Sequence, residues 1–186
     1  RQSGQASSQN LPVLDSQSSE ILLVSNQLRS EEHNENPVHK YLPDSEPRPA
    51  HPVDATLADQ LQTLGWEVRN LDGEVVDSVR PGTAYVFIIY YKVLATISGE
   101  WETFVHIDGY QRRFNADHNT LGGHYPFHLW RVGDWIADRY RFTLEPNFTP
   151  GSYEVFFGLF SGSRRLEVKR GRHQDNRIVA GSLLVR

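Results

Sequence analysis

The stretch VRPGTAYVFIIYYKVL, from Val79 to Leu94, decides the predicted fold. A Pro-Gly turn precedes a run of β-branched and aromatic residues, which favour extended structure. Residues 149–162, TPGSYEVFFGLFSG, repeat this order of turn and strand. Alternating runs such as EWETFVHID (residues 100–108) and DWIADRYRFTLEP (residues 134–146) bring the expected number of strands to seven or eight. The sequence therefore predicts an all-β protein, an antiparallel β-sandwich of Ig-like or jelly-roll-like type.

The first part of the chain, residues 1–57, differs in composition from the rest. Residues 1–19 are rich in Ser, Gln and Gly and predict a flexible tail. Residues 18–33 carry apolar side chains at helical spacing, which predicts a short amphipathic helix. Residues 36–53 contain five prolines, which predict an irregular linker or strap. The β-sandwich domain is therefore predicted to span residues 58–186.

Residues 54–64, DATLADQLQTL, leave two interpretations open. They are compatible with a strand at the edge of the sandwich. They are equally compatible with a short helix that has Asp54 as its N-cap.

Two of the predicted strands, residues 84–91 and 153–160, are apolar on both faces. A strand of a sandwich needs to bury only one face. An uncovered second face would expose an aromatic patch, so we expect each to be covered. The N-terminal segment is the favoured cover, and a protein partner or a second copy of the chain is the alternative.

Composition excludes several functions. The chain has no Cys, so it can form no disulfide, thiolate nucleophile or Cys-ligated zinc site. Its net charge is −4 and it carries no nucleic-acid-binding signature, so we expect no nucleic acid partner. No apolar run reaches the roughly 18 residues of a membrane span. The chain has no Met, even at position 1, and is therefore interpreted as processed or as a fragment.

The order of turns and strands after residue 60 resembles a known β-sandwich module. The shared features are a His after an apolar strand, an isolated Asp, a Gly and a Pro ahead of a Trp, a Gly-acid pair, a second Asp, and Pro-Gly-x-Tyr and Gly-Leu-aromatic sequences. The matching residues are His106, Asp117, Gly123, Pro126, Trp130, Gly133, Asp134, Asp138, Pro150, Gly151, Tyr153, Gly158, Leu159 and Phe160. The module occurs at the extracytoplasmic C-terminus of bacterial membrane glycosyltransferases of the protein-mannosyltransferase-like type, and in related surface proteins.

This resemblance implies a non-catalytic accessory module of a larger membrane or cell-surface system. It implies a periplasmic or extracellular location and a glycan or glycolipid as the ligand. The transferase activity does not carry over, because the membrane-embedded catalytic portion has no counterpart in this sequence. Membrane contact is expected only through an upstream anchor or a partner.

Three polar residues fall on apolar strand faces or beside them. His106 shares a face with Phe104, and Asp138 lies between Ile136 and Tyr140. Buried polar groups need partners, so we interpret His106, Asp117 and Asp138 as structural. A hydrogen bond between His106 and Asp117 is expected, and Asp138 is expected to bind a loop backbone N–H or an Arg.

The histidines of NADHNTLGGHYPFHLW, residues 115–130, are the alternative metal ligands. If a metal is present, His118, His124 and His128 would hold it. Pro126 and the preceding Gly-Gly pair make a helix there improbable and separate these side chains onto different faces. Structural zinc, and calcium bound by Asp117 and Asn119, therefore remain minor alternatives, and we predict neither metal nor cofactor.

Aromatic and planar polar side chains near the predicted loops are the candidates for glycan contact. They are Trp135, Tyr110, Tyr125, Arg112, Arg113 and Arg131. Trp130 is interpreted instead as an anchor that holds its loop to the core. The basic C-terminal region, residues 164–177, is interpreted as a solvated face.

The predicted function is that of a non-enzymatic module for protein assembly or glycan binding. A protein partner or self-association is expected, with glycan or glycolipid as a further ligand. The alternative is a metal-dependent or acid–base enzyme that uses the His and Asp residues of the segment 106–138.

Overall fold

The structure, a computed structural model, describes residues 38–186. The predicted tail and short helix lie outside the described residues. The strands are β1 (His51–Leu57), β2 (Leu61–Arg69), β3 (Val75–Val76), β4 (Ser78–Val79), β5 (Ala84–Val93), β6 (Glu102–Gly109), β7 (Arg112–Asn115), β8 (His118–Asn119), β9 (Trp135–Thr143), β10 (Gly151–Ser161), β11 (Arg164–Arg165), β12 (Val168–Arg170), β13 (His173–Gln174) and β14 (Arg177–Val185). Short 3₁₀ turns occur at His39–Tyr41, Thr120–Gly123 and Phe127–Leu129.

The strands form two sheets that pack face to face. The first sheet has the order β12-β1-β2-β5-β9, with β3 paired to β2. The second has the order β13-β14-β10-β6-β7, with β11 on β10, β4 on β14 and β8 on β6. Antiparallel pairs dominate both sheets, and β4 runs parallel to β14. The predicted all-β sandwich is confirmed.

The core lies between the sheets, as the alternation of side chains requires. Phe87 and Ile89 of β5 and Phe157 of β10 are buried there, together with Trp66 of β2. The indole Nε1 of Trp66 donates a hydrogen bond to the carbonyl oxygen of Ala180 in β14, at 2.7 Å. This buried bond satisfies the polar atom of the indole and links the two sheets.

The sandwich begins before the predicted boundary at residue 58. Strand β1 starts at His51, within the segment that the prolines predicted to be a linker. Strand β12 pairs only with Thr56 and Leu57, so the first half of β1 is an edge, where the missing N–H of Pro52 costs no ladder hydrogen bond. The boundary is therefore corrected to residue 51.

A tight hairpin joins β1 to β2 and settles the open choice at residues 54–64 in favour of strands. Ala58 and Asp59 both have positive φ, 48° and 56°, as a two-residue turn of this kind requires. An Ala-Asp pair is an uncommon sequence for such a turn, which explains why the sequence left helix and strand open.

The outer face of β5 is covered by the strap, residues 38–50, and by neighbouring strands. Ile88 and Tyr90 on this face are buried, at 0% and 6% exposure. Arg139 of β9 donates from Nε to the carbonyl oxygen of Lys40 at 3.0 Å, which holds the strap against the sheet. A groove of about 880 Å³ remains between the strap and Tyr90.

The outer face of β10 is covered by long arginine side chains. The guanidinium of Arg177 lies 4.3 Å from the ring centre of Phe156, and that of Arg165 lies 5.6 Å from the ring centre of Phe104. Arginine stems and guanidinium planes shield aromatic surface while their charge stays near water. Both doubly apolar strands are therefore covered within the chain.

Candidate ligand-binding cleft

A cleft of about 350 Å³ opens at the end of the sandwich where β6 begins. Its walls come from the start of β6, the Thr120–Gly123 turn, the loop that follows this turn and the end of β10. The lining residues are Glu100, Trp101, Glu102, Asn119, Thr120, Gly123, Tyr125, Pro126, Phe127 and Ser161. The cleft therefore combines aromatic and polar side chains in one concave surface.

The polar atoms of the aromatic side chains in this cleft are already bonded to the backbone. Nε1 of Trp101 donates to the carbonyl oxygen of Ser98 at 3.0 Å. The hydroxyl of Tyr125 donates to the carbonyl oxygen of Leu129 at 2.7 Å. These bonds fix the two rings, so the rings offer a ligand apolar surface rather than hydrogen bonds.

Four other lining residues have free hydrogen-bonding capacity. Within residues 38–186, no side-chain hydrogen bond or ion pair engages Glu100, Glu102, Asn119 or Ser161. They supply two carboxylates, an amide and a hydroxyl. The polar groups that are free to meet a ligand are therefore separate from the aromatic groups that shape the cleft.

Trp130 anchors the loop that forms one wall, as the sequence predicts. Its side chain is buried and packs on Phe127, with 4.3 Å between ring centres. Its Nε1 donates to the carbonyl oxygen of Tyr125 at 3.0 Å. Trp130 therefore positions Tyr125 and Phe127 without lining the cleft itself.

The turn Thr120–Gly123 forms the opposite wall, and it needs glycines. Leu121, Gly122 and Gly123 have φ values of 55°, 64° and 76°. This left-handed region is readily adopted by glycine and strained for Leu121. The strain at Leu121 is offset by a hydrogen bond from its backbone N–H to Oδ1 of Asp138, at 2.8 Å.

Asp138 joins the two sheets behind the cleft. Its carboxylate is fully buried and faces donors from three directions. Leu121 donates its N–H, Thr103 of β6 donates its hydroxyl to Oδ2 at 2.5 Å, and Nε2 of His118 lies 3.2 Å from Oδ2. The predicted loop N–H is therefore one of the partners, but Thr103 and His118 were missed, and no Arg takes part.

His118 makes contacts that need a hydrogen on both ring nitrogens. Nδ1 lies 2.7 Å from the carbonyl oxygen of Ala116, which can only accept, and Nε2 faces the carboxylate of Asp138. Burial by itself lowers the pKa of His118, but hydrogen bonding and the charge of Asp138 outweigh burial, so its pKa is raised above 6.5. His118 is therefore read as an imidazolium paired with Asp138, and its ring stacks on Tyr140 at 4.5 Å.

The alternative metal ligands do not converge. His118 is occupied by Asp138, His124 stacks on Tyr41 with 6.1 Å between ring centres, and His128 is exposed in the Phe127–Leu129 turn. Among residues 38–186, no three His, Cys, Asp or Glu side chains are grouped so that they could hold a metal ion. The left-handed turn at Gly122 and Gly123 lies between His118 and His124.

His106 and Asp117 approach each other on the outer face of the second sheet. Nε2 of His106 lies 3.6 Å from Oδ1 of Asp117, longer than a hydrogen bond, so the predicted hydrogen bond is not formed. Nδ1 of His106 is buried without a partner among the described residues. Burial and then the charge of Arg113 lower the pKa of His106 to about 4, and burial raises the pKa of Asp117.

The structure does not gather the predicted glycan-binding residues into one place. Tyr125 lines the cleft, but Tyr110 and Arg112 lie beyond the other end of β6, about 24 Å away along the strand. Tyr110 packs on Tyr153, and Arg112 donates to the carbonyl oxygen of Asn147. Proximity to a loop in the sequence therefore did not mean proximity in space.

The remaining three predicted residues also lie outside the cleft lining. Arg113 binds the carboxylate of Asp108 through two hydrogen bonds of 2.7 Å. Arg131 is exposed, and its backbone N–H donates to Asp134. Trp135 is half-buried at the start of β9, and its Nε1 has no partner among the described residues.

Sequence reasoning missed most of the cleft. Trp101 was not among the predicted binding residues; it precedes the first residue of β6 and is half-buried against the core. The usable signal was SGEWE, residues 98–102, in which a Gly turn leads to a Trp flanked by two acids. Asn119 and Ser161 carry no such signal, because only the folded chain brings them beside Trp101.

The basic C-terminal region is largely paired with acidic groups. Arg170 of β12 binds Asp54 of β1 through hydrogen bonds of 2.6 and 2.9 Å. Arg177 lies 3.3 Å from Asp108, and Arg165 pairs with Asp175. The Arg170–Asp54 pair therefore joins the basic C-terminal region to the first strand of the sandwich.

Comparison with known proteins gives likeness to solved structures alone. No family model matches the chain, and no curated protein matches it. A solved structure titled the C-terminal domain of wzt is 13% identical, covers 75% of this chain and 82% of its own, and has a TM-score of 0.49. This chain is thus similar to that C-terminal domain, and the likeness does not support the specific glycosyltransferase module that its sequence resembles.

The predicted periplasmic or extracellular location is corrected by the same comparison. That location came only with the resemblance to an extracytoplasmic glycosyltransferase module, whereas the matched structure is a domain of wzt, so the location is withdrawn. A separate finding concerns the described residues, 38–186, which form no helix with the length and apolar character to cross a membrane.

Proposed function

We propose that this β-sandwich is a non-enzymatic binding module that holds a glycan in the cleft beside Trp101 and Tyr125. One observation carries the proposal. The aromatic rings have their polar atoms bonded to the backbone, whereas four polar side chains beside them form no side-chain hydrogen bond or ion pair within residues 38–186.

The aromatic side chains match the apolar faces of sugars. A pyranose ring presents C–H groups on its face, which pack on an aromatic ring as other apolar surface does. The backbone bonds of Trp101 and Tyr125 hold the rings in place before a ligand arrives, so little conformational freedom is lost on binding.

The free polar groups match the rims of sugars. Hydroxyls at the edge of a pyranose ring both donate and accept hydrogen bonds. The carboxylates of Glu100 and Glu102 accept, and the amide of Asn119 and the hydroxyl of Ser161 do both. A small number of convergent polar groups beside an apolar wall is typical of ligand sites.

The alternative acid–base site receives no such support. His106, Asp117 and Asp138 do not line the cleft, and the carboxylate of Asp138 is enclosed by three donors. A general acid or base must reach its substrate directly or through one water. We therefore place glycan binding in the cleft and assign no catalytic step to the residue 106–138 segment.

A glycan array followed by titration calorimetry with the best array ligand tests the proposal. We expect Trp101→Ala to weaken binding by about tenfold or more, because the variant removes the main apolar wall. The matched control is Tyr110→Ala, which removes an exposed aromatic side chain at the opposite end of β6 and should leave affinity unchanged.

Mass spectrometry of the ligand after prolonged incubation tests the non-enzymatic part, and an unaltered ligand is expected. A cleaved or modified glycan would overturn that part. An array with no binding, or a ligand insensitive to Trp101→Ala in a folded variant, would overturn glycan binding and leave protein assembly as the remaining predicted role.

A further inference from the structure

The cleft is acidic in its charged groups. Among its ten lining residues, Glu100 and Glu102 carry carboxylates, and none is Lys, Arg or His. Both glutamates are exposed and flank Trp101, so their charges lie at the edge of the aromatic surface that a sugar ring would cover.

These two carboxylates differ from Asp108, which lies at the other end of β6. Asp108 is bound by Arg113 and Arg177, which compensate its charge. Within the described part of the chain, neither Glu100 nor Glu102 forms an ion pair. The negative charges of Glu100 and Glu102 can therefore act on a ligand in the cleft.

The arginines near the cleft either pair with other groups or lie outside the cleft lining. Arg165 pairs with Asp175 and lies over Phe104. Arg164 stands opposite Ser161 in the hairpin of β10 and β11, but it is exposed and does not line the cleft. An acidic group that enters the cleft would therefore meet two carboxylates and no cation among the lining residues.

We infer that this cleft selects glycans by charge, binding amino sugars best, neutral sugars next and uronic acids or other acidic sugars least. The inference rests on the proposed glycan function and specifies its ligand class. An ammonium group at the rim would lie against Glu100 or Glu102, whereas a carboxylate there would face two like charges.

The test uses β-1,4-linked tetramers of glucosamine, glucose and glucuronic acid, together with an array that carries neutral, aminated and carboxylated forms of each backbone. At low salt we expect about three- to tenfold tighter binding of the aminated form than of the neutral form, and a loss of similar size for the carboxylated form. Added salt should compress this order, because the charges are exposed.

Glu100→Gln with Glu102→Gln should remove the charge order and leave binding of the neutral form within about twofold, since the amides keep the shape and hydrogen bonds of the rim. Glu145→Gln is the matched control, because it removes one exposed, unpaired carboxylate beyond the far end of β9. This control should leave the order intact.

The outcomes separate the two proposals. Neutral glycans that bind through Trp101 with no preference for amino over acidic forms would overturn the charge inference alone. Acidic glycans that bind most tightly would overturn it as well. No binding by any glycan would overturn the proposed function and, with it, this inference.

Discussion

Two histidine–aspartate pairs lie on opposite faces of β6, and the pKa values of their histidines are shifted in opposite directions. His118 and Asp138 lie between the sheets, beside the inward side chain of Thr103. His106 and Asp117 lie on the outer face, with 3.6 Å between their nearest atoms. The pKa of His118 is raised, whereas that of His106 is lowered to about 4.

The partners of each pair explain the difference. Asp138 is fully buried and accepts from three donors, and His118 has an acceptor at each ring nitrogen, so its proton is held. Asp117 is 36% exposed and too far from His106 for a hydrogen bond. The positive charge of Arg113 disfavours the protonated form of His106. Burial alone does not set the charge of a histidine; the number of acceptors within hydrogen-bond distance does.

Of the changes to the two pairs, replacement of Asp138 should have the largest effect on the free energy of unfolding. In Asp138→Asn, the imidazolium of His118 keeps its burial and loses its counter-charge, and an amide group is placed among donors. We expect the free energy of unfolding to fall by about 3–5 kcal/mol, as measured by urea denaturation at pH 6.

Asp117→Asn is the matched control, because it makes the same change in the pair on the outer face, where the carboxylate is partly exposed. Its expected cost is below about 1 kcal/mol. Equal losses of stability in the two variants would contradict the distinction between the fully hydrogen-bonded pair of His118 and Asp138 and the pair of His106 and Asp117, which forms no hydrogen bond.

The fold was largely predictable because it depends on local patterns. Alternation in β6 and β9 and the Pro-Gly turns before β5 and β10 are readable in the sequence, and they gave the sandwich. The start of β1 was missed because Pro52 counts against a strand unless its edge position is known. Edge position is a property of the assembled sheet and not of the local sequence.

The candidate cleft was less predictable because its geometry depends on contacts distant in sequence. The glycines at 122 and 123 signalled a turn, but not that the turn would place the N–H of Leu121 on Asp138. The sequence made His118 a candidate metal ligand because it could not show that the folded chain pairs this residue with Asp138. Tyr125 was identified from its loop, whereas Asn119 and Ser161 needed the folded structure.

Protonation of His106 at acid pH should have the next largest effect on stability and tests the other pair. Its folded-state pKa of about 4 lies below the unfolded value of about 6.5, so the unfolded state binds more protons between these values. Stability should therefore fall as pH drops from about 6.5 to 4, by on the order of 2–3 kcal/mol from this group. Urea denaturation of the wild type and of His106→Gln across this range measures it, and the variant should lose less stability. Parallel curves for the two proteins would contradict the lowered pKa.

His118 should show the opposite dependence with the smallest effect of the three. Its folded-state pKa lies above the unfolded value of about 6.5, so the folded state binds more protons. The stabilisation is therefore fully present below pH 6.5 and is lost as pH rises through the folded pKa. In His118→Gln, we expect a loss of about 1.5–2 kcal/mol near pH 5.5, the size of a charge-assisted hydrogen bond, and a smaller loss at alkaline pH.

Tyr140→Leu is the matched control, since it removes the ring stacked on His118 and leaves both ring nitrogens bonded, so its cost should not vary with pH. A cost of His118→Gln that is constant with pH would mean that the contacts of both nitrogens are made by a neutral ring, and the opposition between the two pairs would fail.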